Sequence, residues 1–254
     1  MSHKKKLARI VEVLKKNNRN LPISFIKKSV SHQVPKFSPE KEKLVKIDVA
    51  DFDEILEIDR EKKVAVVEPG VSFEKLVKET LKYDLAPVVV PELKGITVGG
   101  AVAGGSIESM SYKEGGLHDS CLEYEVITAV GEVVTAGVKK NKEIFEMVHG
   151  TFGTVGFISK IKLKLIPVKK YVHIEYKSFG SIEEYGAAIK KIYEEKAHDF
   201  VDGIIISPIK LVLCLGKMTD QVPYSNSYNW TKIYWKSVNE RKEDYLKIFD
   251  YFFR

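Results

Sequence analysis

The chain has 254 residues and a formal net charge of +6, with 44% hydrophobic and 30% charged residues. This length and composition allow a well-buried core, which excludes a wholly disordered protein. The positive charge allows an anionic partner. However, the lysines are spread between apolar residues rather than gathered on one stripe, so we expect no nucleic-acid partner.

The cysteines and the apolar runs limit the cellular location. Cys121 and Cys214 are the two cysteines, and they lack the spacing of a zinc site or a disulfide framework. We therefore expect no metal centre and a cytoplasmic protein. No apolar run approaches the roughly 20 residues of a membrane-spanning helix, and we expect no secretory signal because the residues after the basic start are amphipathic. The basic, amphipathic segment 1–19 leaves peripheral membrane contact open beside a helix docked on its own domain.

Periodicity predicts the elements of the first half of the chain. Apolar residues recur at three- and four-residue spacing from Leu7 to Leu14, which predicts an opening helix. A second helix is predicted over Val71–Tyr83. Short runs rich in β-branched or apolar residues predict strands at Pro22–Ile26, Glu54–Ile58, Val64–Glu68 and Leu85–Val90. Strand, helix and strand in this order indicate a small α/β subdomain.

The second half of the chain predicts a sheet and then a second domain. A hairpin is predicted around Val130-Gly131, followed by a short helix at Lys142–His149. Lysines alternate with apolar residues over Lys160–Leu165, which predicts a strand with one buried face. From Tyr171 a strand, a helix and two strands follow, so we expect a new domain that begins at residue 168.

The last residues form an aromatic stretch. We expect Tyr251, Phe252 and Phe253 to lack a partner surface within this chain. The expectation that follows is a gene product that continues beyond Arg254, or a chain that pairs through this tail. A homo-oligomer is left open.

The segment VPELKGITVGGAVAGGSIESMSYKEGG, residues 90–116, is the most informative part of the sequence. Seven of the 17 glycines lie between Gly95 and Gly116, a density that favours a loop over a helix or a strand. Small residues let a backbone approach a bulky ligand, and free backbone N–H groups can hold phosphate oxygens. The segment matches neither GxGxxG after a strand nor the phosphate loop GxxxxGK[ST]. It indicates either a nucleotide site of another fold or a turn cluster between subdomains.

A second glycine set lies in HGTFGTVGFIS, residues 149–159. With the Glu-Pro-Gly-Val turn at Glu68–Val71 and the first glycine segment, it resembles the FAD-binding domain of PCMH-type (vanillyl-alcohol-oxidase-type) flavoproteins. Within that family the chain is most similar to the delta-24-sterol reductase branch. The likeness includes IPVKKYV, Ile166–Val172, and covers about two-thirds of the chain.

The resemblance implies which residues contact FAD. The first glycine segment would line the cofactor, and the second would give backbone contacts. A loop early in the family's domain holds the pyrophosphate, and its counterpart here is KKSVSHQ, Lys27–Gln33. The implied cofactor-binding residues are Lys27, Lys28, Ser29, Pro91, Glu92, Thr97, Val98, Gly99, Gly100, Gly104, Ser109, Gly153, Gly156, Phe157 and Ile158.

The early loop departs from the family pattern because it contains no glycine. Lysine and serine side chains can replace backbone donors there. His32 lies near the place where some relatives carry a histidine covalently bound to the flavin. Because the reductase branch is not generally of that type, we expect non-covalent FAD.

Catalytic residues are less clearly indicated. His118 follows Gly115-Gly116 and is a candidate for an acid-base group, with a structural role as the equal alternative. The acidic residues Glu92, Glu108 and Glu125 show no fixed spacing that would pair them.

The sequence therefore predicts an α+β fold. We expect an amphipathic helix at 1–19, a two-subdomain FAD-binding domain at 20–167, and the start of a cap or substrate domain at 168–254. The resemblance implies reduction, or desaturation, of a carbon–carbon double bond in a sterol- or isoprenoid-like lipid, with NADPH or NADH as donor. The alternatives are an FAD-dependent oxidase or dehydrogenase of an alcohol, lactone or hydroxy acid, and a catalytically incomplete FAD-binding module.

Overall fold

The computed structural model describes residues 1–17, 21–28, 39, 44–228 and 232–254. They form two compact units of mixed helices and strands. Unit 1 contains Met1–Leu76, Lys94–Ser106 and Ser120–Leu165, and unit 2 contains Val77–Leu93, Ile107–Asp119 and Ile166–Arg254. The predicted α+β class is confirmed. The domain boundaries given above stay predictions.

The helices and strands follow one another in mixed order. The helices are α1 (His3–Lys16), α2 (Phe73–Thr80), α3 (Val98–Gly104), α4 (Ser111–Glu114), α5 (Lys142–Met147), α6 (Ile182–Glu195), α7 (Tyr234–Val238) and α8 (Ile248–Phe252). The strands are β1 (Ile23–Ile26), β2 (Val45–Asp48), β3 (Ile55–Asp59), β4 (Val64–Val67), β5 (Leu85–Pro87), β6 (Cys121–Ile127), β7 (Val133–Gly137), β8 (Phe157–Pro167), β9 (Tyr171–Phe179), β10 (Phe200–Ser207), β11 (Lys210–Thr219) and β12 (Glu243–Lys247).

An antiparallel sheet is the main element of unit 1. Its strands run in the order β3-β4-β8-β6-β7, and β1 and β2 form a separate parallel pair. On β8 the apolar residues Ile161 and Leu163 are fully buried while the intervening lysines face outward, as the alternation predicted. The predicted hairpin is also confirmed: β6 and β7 pair, and Gly131 takes a φ of +78° at the turn.

The apolar face of helix α1 packs within unit 1. Ile10 and Leu14 are buried against Phe52 and Ile127, so the apolar stripe packs on its own unit. Burial of an apolar side chain contributes about 1.5–3 kcal/mol, which accounts for the docking of so basic a helix. Among the described residues, no helix, α1 included, is long and apolar enough to cross a bilayer.

Unit 2 contains a second antiparallel sheet, with strand order β10-β11-β9-β12. Helix α6 packs against β11 through Ile192, Leu213 and Leu215. The helix begins at a capped end, because the Ser181 hydroxyl accepts a hydrogen bond from the Glu184 N–H. The β-strand at Glu243–Lys247 was not predicted, since its sequence is mostly charged.

Two expectations were wrong. The aromatic tail has a partner surface, because Tyr251 and Phe252 are buried and the Tyr251 ring lies 4.6 Å from the Phe200 ring, centre to centre. The glycine-rich segment contains a helix, α3, where the glycine density favoured a loop. Backbone hydrogen bonds to a neighbouring turn offset the low helix propensity of glycine there.

Candidate functional site

Helix α3 is held by caps at both ends. The Thr97 hydroxyl accepts a hydrogen bond from the Gly100 N–H at 3.2 Å. Gly105 ends the helix in the left-handed conformation with a φ of +72°, which glycine adopts without steric cost. Val98 and Ala101 are buried, so one face of this short helix packs in the core of unit 1.

The start of α3 lies directly against the turn at Pro69. The Gly99 N–H donates to the Pro69 carbonyl at 2.9 Å, and the Val98 N–H donates to the Val71 carbonyl at 2.9 Å. A Cβ atom on Gly99 would lie 2.4 Å from the Pro69 Cβ. The two backbones can therefore approach this closely only because residue 99 is glycine.

The second glycine segment lies beside the end of α3. The Gly150 N–H donates to the Val102 carbonyl at 3.3 Å, and the Phe152 N–H donates to the Ala103 carbonyl at 3.0 Å. The structure therefore brings together the two glycine segments that the resemblance singled out. We call residues 98–105 and 150–156 the glycine cradle.

The glycine cradle faces open space. A Cβ atom added to Gly104 or to Gly150 would meet no atom of the described residues within 4 Å. At Gly153 the nearest atom would be the Gly156 carbonyl oxygen at 4.0 Å. Backbone with no side chains and free volume above it can admit a large, flat or phosphate-bearing ligand closely. The residues present therefore fit a dinucleotide such as FAD.

The sheet behind the second segment fixes its position. Tyr124, fully buried on β6, hydrogen-bonds His149 at 3.0 Å between the hydroxyl and Nε2, just before Gly150. Gly156 lies so close to β6 that a Cβ atom would be 2.7 Å from the Ile127 carbonyl oxygen. Phe157 and Ile158 then enter β8, where Ile158 is buried. Their predicted contact with FAD, which concerns backbone atoms, stays a prediction.

Lys27 and Lys28, the two predicted site lysines, lie directly after β1. Lys28 Nζ contacts Asp53 Oδ2 at 2.5 Å, and Lys27 is exposed. Burial tends to raise the pKa of Asp53, but the hydrogen bond and charge of Lys28, with the charge of Lys75, hold it below its usual value. Asp53 also neighbours Gly70, so Lys28 lies near the Pro69 turn. Ser29 and His32 lie outside the described residues.

The remaining predicted site residues belong to unit 2. Pro91 is buried, and the Glu92 N–H donates to Glu108 Oε1 at 3.3 Å. The Ser109 hydroxyl accepts a hydrogen bond from the Tyr251 hydroxyl at 3.3 Å, and its carbonyl accepts from the Val201 N–H at 2.8 Å. Ser109 is therefore bonded within unit 2, and its role toward FAD stays a prediction.

Glu108 is part of a cluster of carboxylates around one guanidinium. Arg254 forms an ion pair with Asp202 and lies 3.8 Å from Glu92 Oε1. Burial and then the negative charge of Glu92 raise the pKa of Glu108 to about 7, although the Glu92 N–H and Arg254 act in the opposite direction. Glu108 can therefore hold a proton near neutral pH.

His118 lies in a short 3-10 turn, Leu117–Ser120. Its Nε2 is 3.6 Å from Asp119 Oδ2, and that same oxygen accepts a hydrogen bond from the Gly116 N–H at 2.8 Å. The carboxylate thus contacts both the ring and the turn. This contact fits a structural role as well as an acid-base role, so the assignment of His118 stays a prediction.

Sequence reasoning missed two residues, Phe152 in unit 1 and Glu108 in unit 2. Phe152 in the glycine cradle takes a φ of +53°, which is unusual for an aromatic residue, and its side chain is exposed. The sequence signal was its position between two glycines in HGTFGT. Glu108 was noted only as an unpaired acid, because its neighbours Arg254 and Asp202 are distant in the chain.

The raised pKa of Glu108 predicts a pH-dependent stability. The folded state keeps the proton up to about pH 7, whereas an unfolded glutamate loses it near its ordinary value of 4.5. The contribution is therefore fully present below pH 4.5 and is lost as the pH rises through 7. Between pH 5 and 8, the wild-type free energy of unfolding should fall relative to that of Glu108→Gln by about 2 kcal/mol, after allowance for partial exposure.

Urea unfolding at several pH values measures this difference. Glu114→Gln changes an exposed acid of the same unit and should keep the wild-type pH dependence. A difference between Glu108→Gln and the wild type that is constant from pH 5 to 8 would contradict the assignment.

Comparison with known proteins agrees with this geometry. A family described as "FAD binding domain" matches residues 1–137, which include α3. Delta(24)-sterol reductase of Macaca fascicularis is 31% identical over 194 residues, 76% of this chain and 38% of that protein. The Pisum sativum enzyme of the same name is 31% identical over 230 residues, 85% of this chain and 40% of that protein.

A relative of another kind is also similar. Cytokinin dehydrogenase 1 of Arabidopsis thaliana is 32% identical over 146 residues, 55% of this chain and 24% of that protein. The chain thus spans about two fifths or less of the length of these relatives. The family match covers more than half of the chain and contains the Pro69 turn and α3. This chain belongs to the FAD-binding domain family, as a PCMH-type domain similar to delta(24)-sterol reductases.

Proposed function

We propose that this chain is the FAD-binding part of an oxidoreductase that reduces a carbon–carbon double bond in a sterol- or isoprenoid-like lipid, with NADPH or NADH as donor. The observation that carries the flavin site is the junction of the two glycine segments, with open space at Gly104 and Gly150. The lipid and the donor are inferred from the similarity to delta(24)-sterol reductases.

In this proposal the glycine cradle holds the cofactor through backbone atoms. Gly104, Gly150 and Gly153 leave room for the ligand, and Thr97 fixes the direction of α3. Lys28 is near the Pro69 turn and can exchange its contact with Asp53 for a phosphate oxygen. When bound, FAD would supply the redox chemistry, while the protein orients it and limits the access of water.

Two side chains are candidates for holding a proton. His118 is the candidate for an acid-base group, and Glu108 is a second group that can hold a proton near neutral pH at a carboxyl oxygen. The lipid substrate allows peripheral membrane contact, and the basic segment 1–19 is compatible with it.

Two other functions are tested beside this one. Similarity to cytokinin dehydrogenase 1 supports an FAD-dependent oxidase or dehydrogenase of another small molecule. The other alternative is a module that binds FAD without completing a reaction.

The first prediction from the proposed function concerns the glycine cradle. Gly104→Val should abolish co-purification of FAD in a folded protein. The added Cβ atom meets no atom of the part of the chain that the structure describes, so the side chain would fill the open space. Gly186→Val is the matched control, since Gly186 is also a helical glycine and no described atom lies within 4 Å of an added Cβ there. Absorbance of the purified proteins near the flavin bands and their circular dichroism check both expectations.

Gly100→Val is a less clean variant, because its Cβ atom would lie 3.0 Å from the Thr97 hydroxyl that caps α3. If Gly104→Val binds as much flavin per polypeptide as the wild type, the cofactor does not bind at the glycine cradle.

The second prediction is that the flavin is bound non-covalently. The segment KKSVSHQ lacks the glycines of the family's early loop, so we expect His32 to form no bond to the ring. Denaturing electrophoresis of the FAD-loaded protein should show a polypeptide without flavin fluorescence. A fluorescent band that disappears with His32→Ala would reverse this assignment.

The third prediction concerns the reaction. Under anaerobic conditions, NADPH or NADH should bleach the flavin absorbance of the enzyme, and added unsaturated sterol or isoprenoid lipid should restore it. Stopped-flow absorbance with each donor, with and without lipid, measures both steps. Rapid reoxidation by air with stoichiometric peroxide would instead support the oxidase. A flavin that no donor reduces would support the incomplete module.

A further inference from the structure

The turn that supports α3 carries a fully buried carboxylate. Glu68 has no exposed surface, and it begins the Glu68–Val71 turn. Its Oε1 accepts a hydrogen bond from His3 Nδ1 at 2.8 Å, and its Oε2 accepts from Lys6 Nζ at 2.7 Å. The Glu54 N–H donates to Oε2 as well, at 2.9 Å. A buried charge requires such partners, so α1 supplies what the turn needs.

Lys6 is the counter-charge of this buried group. Its side chain is 1% exposed and contacts Glu68 and, at 3.3 Å, Glu54. Burial alone would lower the pKa of Lys6, but the hydrogen bonds and charges of Glu68 and Glu54 outweigh it and raise the pKa. Lys6 is thus a charged residue on the buried face of α1, where an amphipathic helix otherwise places apolar side chains.

His3 extends the same contact to the sheet. Its second ring nitrogen, Nε2, lies 2.8 Å from Glu125 Oε1 on β6. Glu125 also accepts a hydrogen bond from the Ser159 hydroxyl at 2.8 Å. Although burial opposes the shift, the contacts from His3, Ser159 and Lys160 lower the pKa of Glu125. One histidine of α1 therefore joins the Glu68 turn to the strands that lead from the second glycine segment.

The Glu68–Val71 turn fixes the start of α3 and thereby the position of the glycine cradle. The residue after Glu68, Pro69, accepts the hydrogen bond from Gly99, and Val71 accepts the one from Val98. Because a Cβ atom at residue 99 would already overlap Pro69, the contact leaves little freedom for independent movement. A displacement of the Glu68 carboxylate would shift the acceptors that fix the start of α3.

We propose that His3 and Lys6 are positioning residues for FAD. Through them α1 binds the buried carboxylate of Glu68 and thereby fixes the turn against which the glycine cradle packs. This inference rests on the proposed assignment of the glycine cradle as the FAD site. It gives α1 a role in cofactor affinity beyond the burial of its apolar face. The side chains act through Glu68 and do not touch the cofactor.

Substitution of Lys6 by methionine tests the proposal. Lys6→Met should raise the Kd for FAD roughly tenfold, the effect of losing one well-placed interaction. Titration of the apoprotein with FAD, followed by flavin fluorescence well below the melting temperature, gives the Kd. Lys5→Met is the matched control, because Lys5 is the preceding residue of the same helix and is exposed; it should bind FAD like the wild type.

A second variant separates positioning from folding. Lys6→Met leaves a buried carboxylate without its cation and can unfold the chain. The double variant Lys6→Met with Glu68→Gln removes both charges, should fold, and should also bind FAD about tenfold more weakly. A purely structural role would lower the melting temperature of the apoprotein while the Kd of the folded fraction stayed at the wild-type value. That result in the double variant overturns the proposal.

The variant Gly104→Val distinguishes failure of the proposed FAD site from failure of the positioning role of α1. If Gly104→Val binds FAD like the wild type, the glycine cradle is not the site, and the proposed site and this inference both fail. If Gly104→Val loses FAD while the folded double variant keeps the wild-type Kd, only the positioning role of α1 fails. Loss of affinity in both variants, with Lys5→Met unchanged, supports both.

Discussion

The close approach of two backbones, the Pro69 turn and the start of α3, is the contact on which the candidate site depends. It is made by two backbone hydrogen bonds and is possible only because residue 99 has no side chain. The far end of α3 then meets the second glycine segment through Val102 and Ala103. A short helix of low intrinsic propensity is thus fixed at both ends by partners that are far away in the chain, and its exposed glycines lie beside open space.

Local patterns predicted the elements whose stability is local. The alternation of lysine with apolar residues on β8, the hairpin of β6 and β7 and the amphipathic helices α1 and α6 all follow from periodicity and turn chemistry. The resemblance placed the cofactor in the two glycine segments, and the structure brings these segments into contact. Which individual atoms meet FAD was implied by the resemblance alone, so the full set of site residues stays a prediction.

The features that sequence reasoning missed depend on distant partners. Helix α3 forms because Pro69 and Val71 supply acceptors, which no count of glycines within residues 95–116 could show. Glu68 and His3 are separated by 65 residues, and His3 and Glu125 by 122. Glu108 likewise owes its raised pKa first to burial and then to the charge of Glu92, which is 16 residues away. Propensity and spacing carry no information on such pairs.

The geometry separates glycines that the sequence cannot tell apart. Gly99 and Gly156 are required by the fold, because a Cβ atom at either would overlap the backbone or side chain of a neighbour. Gly150 is required by its φ of +65°. Neither reason applies to Gly104, because it is helical and, among the described residues, no atom lies within 4 Å of an added Cβ. Gly186 in α6 has the same geometry away from the glycine cradle, so openness alone does not identify a ligand. The contact of α3 with the second glycine segment is what makes Gly104 the residue to test.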